Sequence, residues 1–451
     1  MMKRDIRYIA VSVALATFAF VGCSQFQEDD FFDESASLRI QHFNEQLQSR
    51  LVAQSSDGNH GWVIQYFVAS ELEGFNLFGR FYDNGKVTLA SDHRFLRNGN
   101  AGKYTEHSSF YEIVREEGPV LSFNTWNDIL TVFVDPVDPS YAPSTIVSDG
   151  EGLSGDQNLV FNGFDDNNIK FRGERHSARV RFVPCDRSWQ DYINDTKETR
   201  DYITNNTITS YYVVRGTDTL YFKNLRGGVI TYCERINEPL FPSTINCVFT
   251  PKGFYLQHRD SIKGTSFQEF SLTEDKTCLM SENDSVQVFA TWDNYIINHS
   301  AVWEMDATLF TPEQQSLYDQ IATAVTGLNK KWALKSIGIG RSTGKDPVNG
   351  LILTYYTKWP NTDIKNTNTA GLQLNLFKPQ PKQIGVMCTE DNIVDNNLSV
   401  FTARGTAIES LMRQFAATLN GSYSMVPDNY FLPTSVNCTP IEGGTAFKLG
   451  I

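Results

Sequence analysis

Hydrophobic residues recur along this chain with two different periods, and each change of period marks a new element. After Asp33, the residues Ala36, Ile40, Phe43, Leu47 and Leu51 return every three or four positions, which places them on one face of a helix. The cluster Ser55-Ser56-Asp57-Gly58-Asn59 ends that helix. From Trp62 the period becomes two. In "GFNLFGRFYDNGKVTLAS", Phe75, Leu77 and Phe81 alternate with Asn76 and Arg80, and Val87 and Leu89 alternate with Lys86 and Thr88. Successive side chains of a strand point to opposite faces, so such runs predict strands with one buried face. Between them Asp83-Asn84-Gly85 predicts a tight hairpin, with Asn84 and Gly85 as the central pair of a type I′ turn, both at positive φ. Further strands are expected over 62–69, 108–114, 120–126, 129–134, 158–164, 168–173 and 178–183. A helix is expected from Asp186, followed by an Asn- and Thr-rich linker over 194–209.

A second set of strands, including "SYYVV", "TLYFKNL", "NCVFT" and "FYLQH", occupies 208–305 around the turns Arg215-Gly216-Thr217-Asp218 and Pro251-Lys252-Gly253. It resembles the first set in style, without an alignable repeat. In the last third, Thr311-Pro312-Glu313-Gln314 predicts a capped helix with Leu317, Ile321, Val325 and Leu328 inward. The strands "WALKSIGIG", "GLILTYYT" and "GLQLNLF" follow, and Thr406-Ala407-Ile408-Glu409 predicts a second capping box. The expected fold is mainly β. An antiparallel β sandwich or barrel covers 55–203, a second β-rich domain 204–305 and an α+β domain 306–451.

The N-terminal segment has its own pattern. Lys3, Arg4 and Arg7 precede 14 almost wholly apolar residues, Tyr8 to Val21. A membrane-spanning helix needs about 20, so residues 1–22 read as a secretory signal peptide. Gly22-Cys23 resembles the lipobox of bacterial lipoproteins, with Phe20 where leucine is usual. That resemblance implies lipid attachment at Cys23 and a membrane tether, with 23–54 as acidic tether and helix. Glu28, Asp29 and Asp30 follow closely and look like the surface-export signal of Bacteroidota lipoproteins, unless they are a plain solvated linker.

Charge narrows the partners. The chain carries a formal net charge of −13, and removal of residues 1–22 takes Lys3, Arg4, Arg7 and Asp5 with it, which leaves about −15. Nucleic acid requires clustered Lys and Arg, and no basic run occurs, so nucleic acid is not an expected partner. Six cysteines lie beyond Cys23: Cys185, Cys233, Cys247, Cys278, Cys388 and Cys438. They are too dispersed for a zinc knuckle. Export permits disulfides, for example Cys233 with Cys247, but free buried thiols are an equal reading.

No catalytic residue can be named. The seven histidines form no HExxH or HxH pattern, and there is no G-x-S-x-G elbow or phosphate loop. Asp149, Glu151 and Asp156 in "SDGEGLSGD" could serve calcium, the one cofactor the sequence offers. The same composition also makes ordinary turns. Of the seven tryptophans, Trp126 and Trp359 stand at strand ends beside turn residues and are candidates for ligand stacking.

Trp62, Gly74-Phe75, the strand Leu121 to Asn124 and Gly155-Asp156 together resemble an uncharacterised family of Bacteroidota lipoproteins, a domain of unknown function, over about 35–200. Members of that family are often encoded beside SusC/SusD-like outer-membrane uptake systems. The resemblance implies a lipid-anchored outer-membrane protein facing the exterior that binds a glycan or peptide beside such a transporter. The alternatives are a surface hydrolase with a spatially assembled site, and an adhesin or envelope assembly component.

Overall fold

A computed structural model describes residues 35–451, apart from short stretches of which 136–151, 234–242 and 388–397 are the longest. Helix α1 (Ala36–Gln54) opens it. A nine-stranded antiparallel sheet follows: β1 (Trp62–Phe67), β2 (Phe75–Phe81), β3 (Lys86–Ser91), β4 (Thr105–Phe110), β5 (Glu112–Arg115), β6 (Pro119–Ser122), β7 (Asn158–Asp165), β8 (Asn168–Gly173) and β9 (Arg179–Pro184). Their order is β4-β3-β2-β1-β9-β8-β7-β6-β5.

That order has a geometric consequence. β4 and β5 are opposite edges of the sheet, yet Tyr111 alone separates them. A flat sheet of nine strands would hold its edges about 38 Å apart, at roughly 4.8 Å per strand. Two Cα–Cα steps reach only about 7 Å. The sheet is therefore rolled until its edges meet, and 105–115 acts as one strand bent at Tyr111. Hydrogen bonds hold the corner: Tyr111 N donates to Gly85 O at 2.8 Å, and Gln48 Nε2 donates to Tyr111 Oη at 3.0 Å.

The inside of this barrel collects Trp62, Ile64, Tyr66, Phe75, Leu77, Phe81, Val87, Leu89, Phe171 and Phe182, closed by Leu47 and Leu51 of α1. Strand β1 is buried at every position because its second face is also covered. Val63, Phe78 and Ala90 point outward and pack under Trp189, Tyr192 and Ile193 of helix α2 (Trp189–Ile203). That helix continues through most of the segment expected to be a linker. Asp191, Asn194 and Asp201 are exposed, while Ile193 and Ile203 are buried.

The second sheet is a closed eight-stranded barrel, β10 (Ser210–Arg215), β11 (Asp218–Lys223), β12 (Val229–Cys233), β13 (Ser243–Thr250), β14 (Gly253–Ile262), β15 (Thr265–Leu272), β16 (Leu279–Ser281) and β17 (Gln287–Ala290), with β10 pairing β17. Helix α3 (Trp292–Asn298) leads into the third sheet. Its strands are β18 (Val302–Met305), β19 (Ala333–Arg341), β20 (Asn349–Lys358), β21 (Lys365–Gln373), β22 (Asn375–Phe377), β23 (Gln383–Met387), β24 (Gly421–Pro427), β25 (Ser435–Gly443) and β26 (Phe447–Gly450). Because β18 pairs with β19 and β26, residues 302–305 belong to this sheet and not to the region before it.

The third sheet runs β21-β20-β19-β18-β26-β25-β24-β23-β22, strand for strand the order of the first. Leu374 alone joins its two edges, as Tyr111 does in the first. The two outer sheets are thus a topological repeat, although no sequence repeat announces it. Helices α4 (Pro312–Leu328) and α5 (Ile408–Ala417) belong to the third sheet. The capping box of α4 is present between Thr311 and Gln314. Helix α5 begins after Ala407, which gives no side-chain cap, and Thr406, the expected capping residue, lies outside the described residues. One hydrophobic core is continuous through the second and third sheets, with Trp292, Ile296 and Trp303 at their junction.

Two local expectations are corrected. Residues 129–134 form a buried 3-10 turn over Thr131–Phe133, not a strand. Asn127 redirects the chain there: its side chain accepts from Ile129 N at 3.0 Å, and its carbonyl accepts from Thr131 N at 2.8 Å. In the hairpin, Gly85 has φ +77°, while Asn84 is not at positive φ. Tyr82 N donates to Lys86 O at 2.9 Å and Gly85 N to Tyr82 O at 3.2 Å. This is a three-residue loop closed by a left-handed glycine, not a type I′ turn.

Candidate functional site

Backbone bonds knit the first barrel to the second. Gly74 N donates to Cys247 O at 2.9 Å, while Cys247 N is held within the second barrel by Gly228 O at 2.7 Å. Asn76 Nδ2 donates to Phe249 O at 2.8 Å. Gly228 has φ +71°, and a Cβ there would stand 2.4 Å from Glu73 Cβ, so only glycine permits this approach. Phe67, Val248 and Tyr255 form a small apolar cluster between the two barrels.

Beside that cluster lies a cleft of about 470 Å³, walled by β2, the segment after β3, helix α2 and β13. Four polar side-chain atoms of its lining are buried without a hydrogen-bond partner: Asn76 Oδ1, His93 Nδ1, Thr196 Oγ1 and Arg200 Nε. Native interiors rarely leave such atoms unpaired. Their chemistry can be assigned. His93 Nε2 lies 2.9 Å from Ile129 O, and a carbonyl only accepts, so Nε2 carries the proton. Burial pushes the His93 ring down to about 4, so near neutral pH it is uncharged and Nδ1 is a bare acceptor. The Asn76 amide nitrogen faces Phe249 O, which leaves Oδ1 as a second acceptor. Arg200 Nε is a donor; the nearest carboxylate oxygen, Asp201 Oδ1, is 3.9 Å away, beyond hydrogen-bond range. Thr196 can donate or accept.

The charges around the cleft are mutually paired. Arg94 holds Glu73 at 2.7 Å, Lys197 holds Asp92 at 2.6 Å, and Arg226 lies 3.3 Å from Asp201. What remains unpaired is therefore neutral acceptors, a hydroxyl and one guanidinium N–H.

Of the site residues singled out from sequence, the described ones, Trp126 and Asp156, do not line this cleft. Cys23, Glu28, Asp29, Asp30, Asp149, Glu151 and Trp359 lie outside the described residues. Trp126 is 49% exposed. Its Nε1 donates to Asp128 Oδ1 at 2.6 Å, and the Arg97 guanidinium stands 5.7 Å from its ring centroid. Burial works against ionisation of Asp128, but bonds from Trp126 and His107 outweigh it and hold the carboxyl below its ordinary range. Asp156 is buried and engaged by backbone: it accepts from Arg175 N at 2.8 Å, His176 N at 3.0 Å and Ala178 N at 3.1 Å. Among the described residues no three His, Cys, Asp or Glu side chains are grouped to hold a metal ion. Cys185, Cys233, Cys247, Cys278 and Cys438 are free, so the Cys233–Cys247 bridge is absent. No sequence signal marks Asn76, His93, Thr196 and Arg200, which come from three separate places in the chain.

The fold and cleft define a β-rich protein of tandem barrels with a polar pocket between the first two. The chain belongs to a family described as a domain of unknown function, DUF4302, whose model matches residues 28–274. That span includes the first barrel, β10 to β15 of the second and every residue that lines the cleft. No curated protein matches the chain. Similar solved structures include the DNA polymerase III subunit beta of Pseudomonas aeruginosa, at 7% identity over 92% of this chain and 97% of that one, TM-score 0.12. Another is the Helicobacter pylori beta clamp bound to a DNA ligase peptide, at 9% identity over 92% and 98%, TM-score 0.11. Likeness at this level defines neither fold nor function.

Proposed function

We propose that this chain is a Bacteroidota-type lipoprotein, tethered through Cys23 to the outer membrane and facing the exterior. There it captures a glycan or peptide nutrient as an accessory to a SusC/SusD-like uptake system. The observation that carries the binding role is that Asn76, His93, Thr196 and Arg200 line one cleft and each holds a buried polar side-chain atom without a protein partner. A buried polar atom left unpaired costs about 1–3 kcal/mol, and ligand hydroxyls or amides would remove that cost. Because the rim charges are already paired, the cleft suits an uncharged ligand.

Capture without turnover is the better reading of the same residues. Cys247 is the one thiol lining the cleft, and burial pushes its ionisation far above neutral, so it supplies no thiolate. With its ring lowered to about 4, His93 is uncharged and only weakly basic near neutral pH. The apolar leader, the Gly22-Cys23 junction and the acidic run support the address. The test is to screen the full mature chain against neutral oligosaccharides and peptides, reading both binding and product release. Binding without product is expected. Release of product, or no ligand in either library, would overturn the proposal.

A further inference from the structure

A second cleft, of about 570 Å³, opens between the same two barrels and has the opposite electrostatic character. Its lining includes Lys170, Arg172, Arg179, Arg181, His258 and Arg259, with no Asp or Glu, in a chain of net charge −13. The basic residues come from β8, β9 and β14, where alternate positions share a face. The register is costly. Lys170 stands directly opposite Arg181, and Arg172 directly opposite Arg179. Like charges at facing positions of an antiparallel pair destabilise a sheet.

Part of this charge is answered at the rim: Lys170 by Asp165 at 2.8 Å, Arg181 by Glu269 at 3.2 Å, and Arg259 by Glu282 at 3.1 Å. Arg172 and Arg179 are not answered. Arg172 donates only to Ser177 Oγ at 2.9 Å, and Arg179 has no side-chain bond or ion pair among the described residues. The Nε of Arg181 is also buried without a partner. Arg172 and Arg179 thus form a facing pair of guanidinium forks, beside the amides of Asn162, Gln257 and Gln268.

We propose that this cleft binds an oxyanion-bearing sugar, with Arg172 and Arg179 holding its carboxylate or sulfate and the amides meeting its hydroxyls. Guanidinium forks match such oxyanions in paired hydrogen bonds. A nucleic acid strand fits poorly. The Tyr255 ring, on which a base would have to stack, is buried, with the Arg181 guanidinium 4.4 Å from its centroid. The rim carboxylates Asp165, Glu269 and Glu282 would also repel a run of phosphates. The site goes beyond the polar cleft and does not depend on it.

Calorimetric titration of the full mature chain with digalacturonate, a sulfated disaccharide, neutral lactose and a single-stranded oligonucleotide tests this. At least one acidic sugar should bind, more weakly as salt rises, and lactose should not bind here. The variant Arg172→Gln/Arg179→Gln should lose about tenfold or more of that affinity. Its melting temperature should be unchanged or higher, because a like-charge pair is removed; this shows that the loss is not unfolding. Carboxylate against sulfate preference identifies which oxyanion the forks serve. Failure of both acidic sugars, equal affinity in the variant, or tighter binding of the oligonucleotide would overturn the proposal. If Thr196→Val abolished acidic-sugar binding instead, the anion would sit in the first cleft, and this inference would fall while the binding role of that cleft stood.

Discussion

Lys378, just after β22 of the third sheet, reaches helix α3, where its Nζ lies 2.8 Å from Asp293 Oδ2. The carboxylate side chain is 1% exposed. Tyr212 donates to its other oxygen at 3.1 Å, and Lys382 N donates to Oδ2 at 2.9 Å. The pair joins helix α3 to the segment between β22 and β23. Burial pushes Asp293 up to about 6 and Lys378 down to about 7. Their proximity opposes both shifts, and the close contact with supporting bonds makes the ionised pair the state we assign near neutral pH.

Removing one member of a buried pair leaves the other uncompensated, which costs about 3–5 kcal/mol. Lys378→Met should therefore destabilise the protein on that scale, and Lys378→Met/Asp293→Asn by clearly less than the sum of the singles. Chemical denaturation of the four members of the cycle measures it. Additive losses would mean that the two side chains do not act as a pair.

Gly85 is the second point of vulnerability. Its φ of +77° is a conformation that β-branched residues avoid, and an added Cβ would lie 3.3 Å from Tyr111 O. The hairpin tip also receives the Tyr111 N–H at the barrel corner. Gly85→Val should cost roughly 1–3 kcal/mol, read as a lower denaturation midpoint. An unchanged midpoint would show that the turn is not strained by a side chain.

The third prediction concerns acid. His93 is buried, and its value falls from the ordinary 6.5 to about 4. Between these values the unfolded chain binds more protons than the folded one, so stability falls as pH drops from 6.5 towards 4. At about 1.4 kcal/mol per unit, the loss is on the order of 3 kcal/mol. Stability measured from pH 7 to 4 should fall less steeply in His93→Gln than in wild type. Parallel curves would place the acid sensitivity in other groups.

The address rests on sequence alone and has its own test. Cys23→Ser should abolish lipid attachment and leave the protein unprocessed or released, as judged by detergent partition. Changing Glu28, Asp29 and Asp30 together to Ala should remove antibody staining of intact cells while the tether survives. Wild-type partition in the first variant, or full staining in the second, would contradict the proposed anchoring or export route.

Much of the fold was legible because most strands bury one face. The alternation over 75–81 and 86–91 coincides with β2 and β3, and 168–173 with β8. Legibility fails where tertiary structure overrides pattern. The apolar, β-branched run at 129–134 looks like a strand, but Asn127 turns it. The polar second half of α2 looks like a linker because only its inward side chains pack against the barrels. The shared topology of the outer sheets escapes because strand order depends on which edges meet. Neither cleft has a local motif: Asn76 and Arg200 become neighbours only when the first barrel, α2 and the second barrel come together. Trp126 is exposed as its turn setting suggested, yet it does not line the polar cleft.

The most direct test of the central claim is the dissociation constant of a neutral oligosaccharide or peptide from the screen, measured for wild type and for Thr196→Val/Arg200→Leu. Each lost hydrogen bond to ligand is worth about 1 kcal/mol or more, so the double variant should bind about tenfold to a hundredfold more weakly. Its melting temperature should stay near that of wild type, since neither side-chain atom has a protein partner to lose. An unchanged dissociation constant in a folded double variant would contradict the claim that this cleft is the binding site.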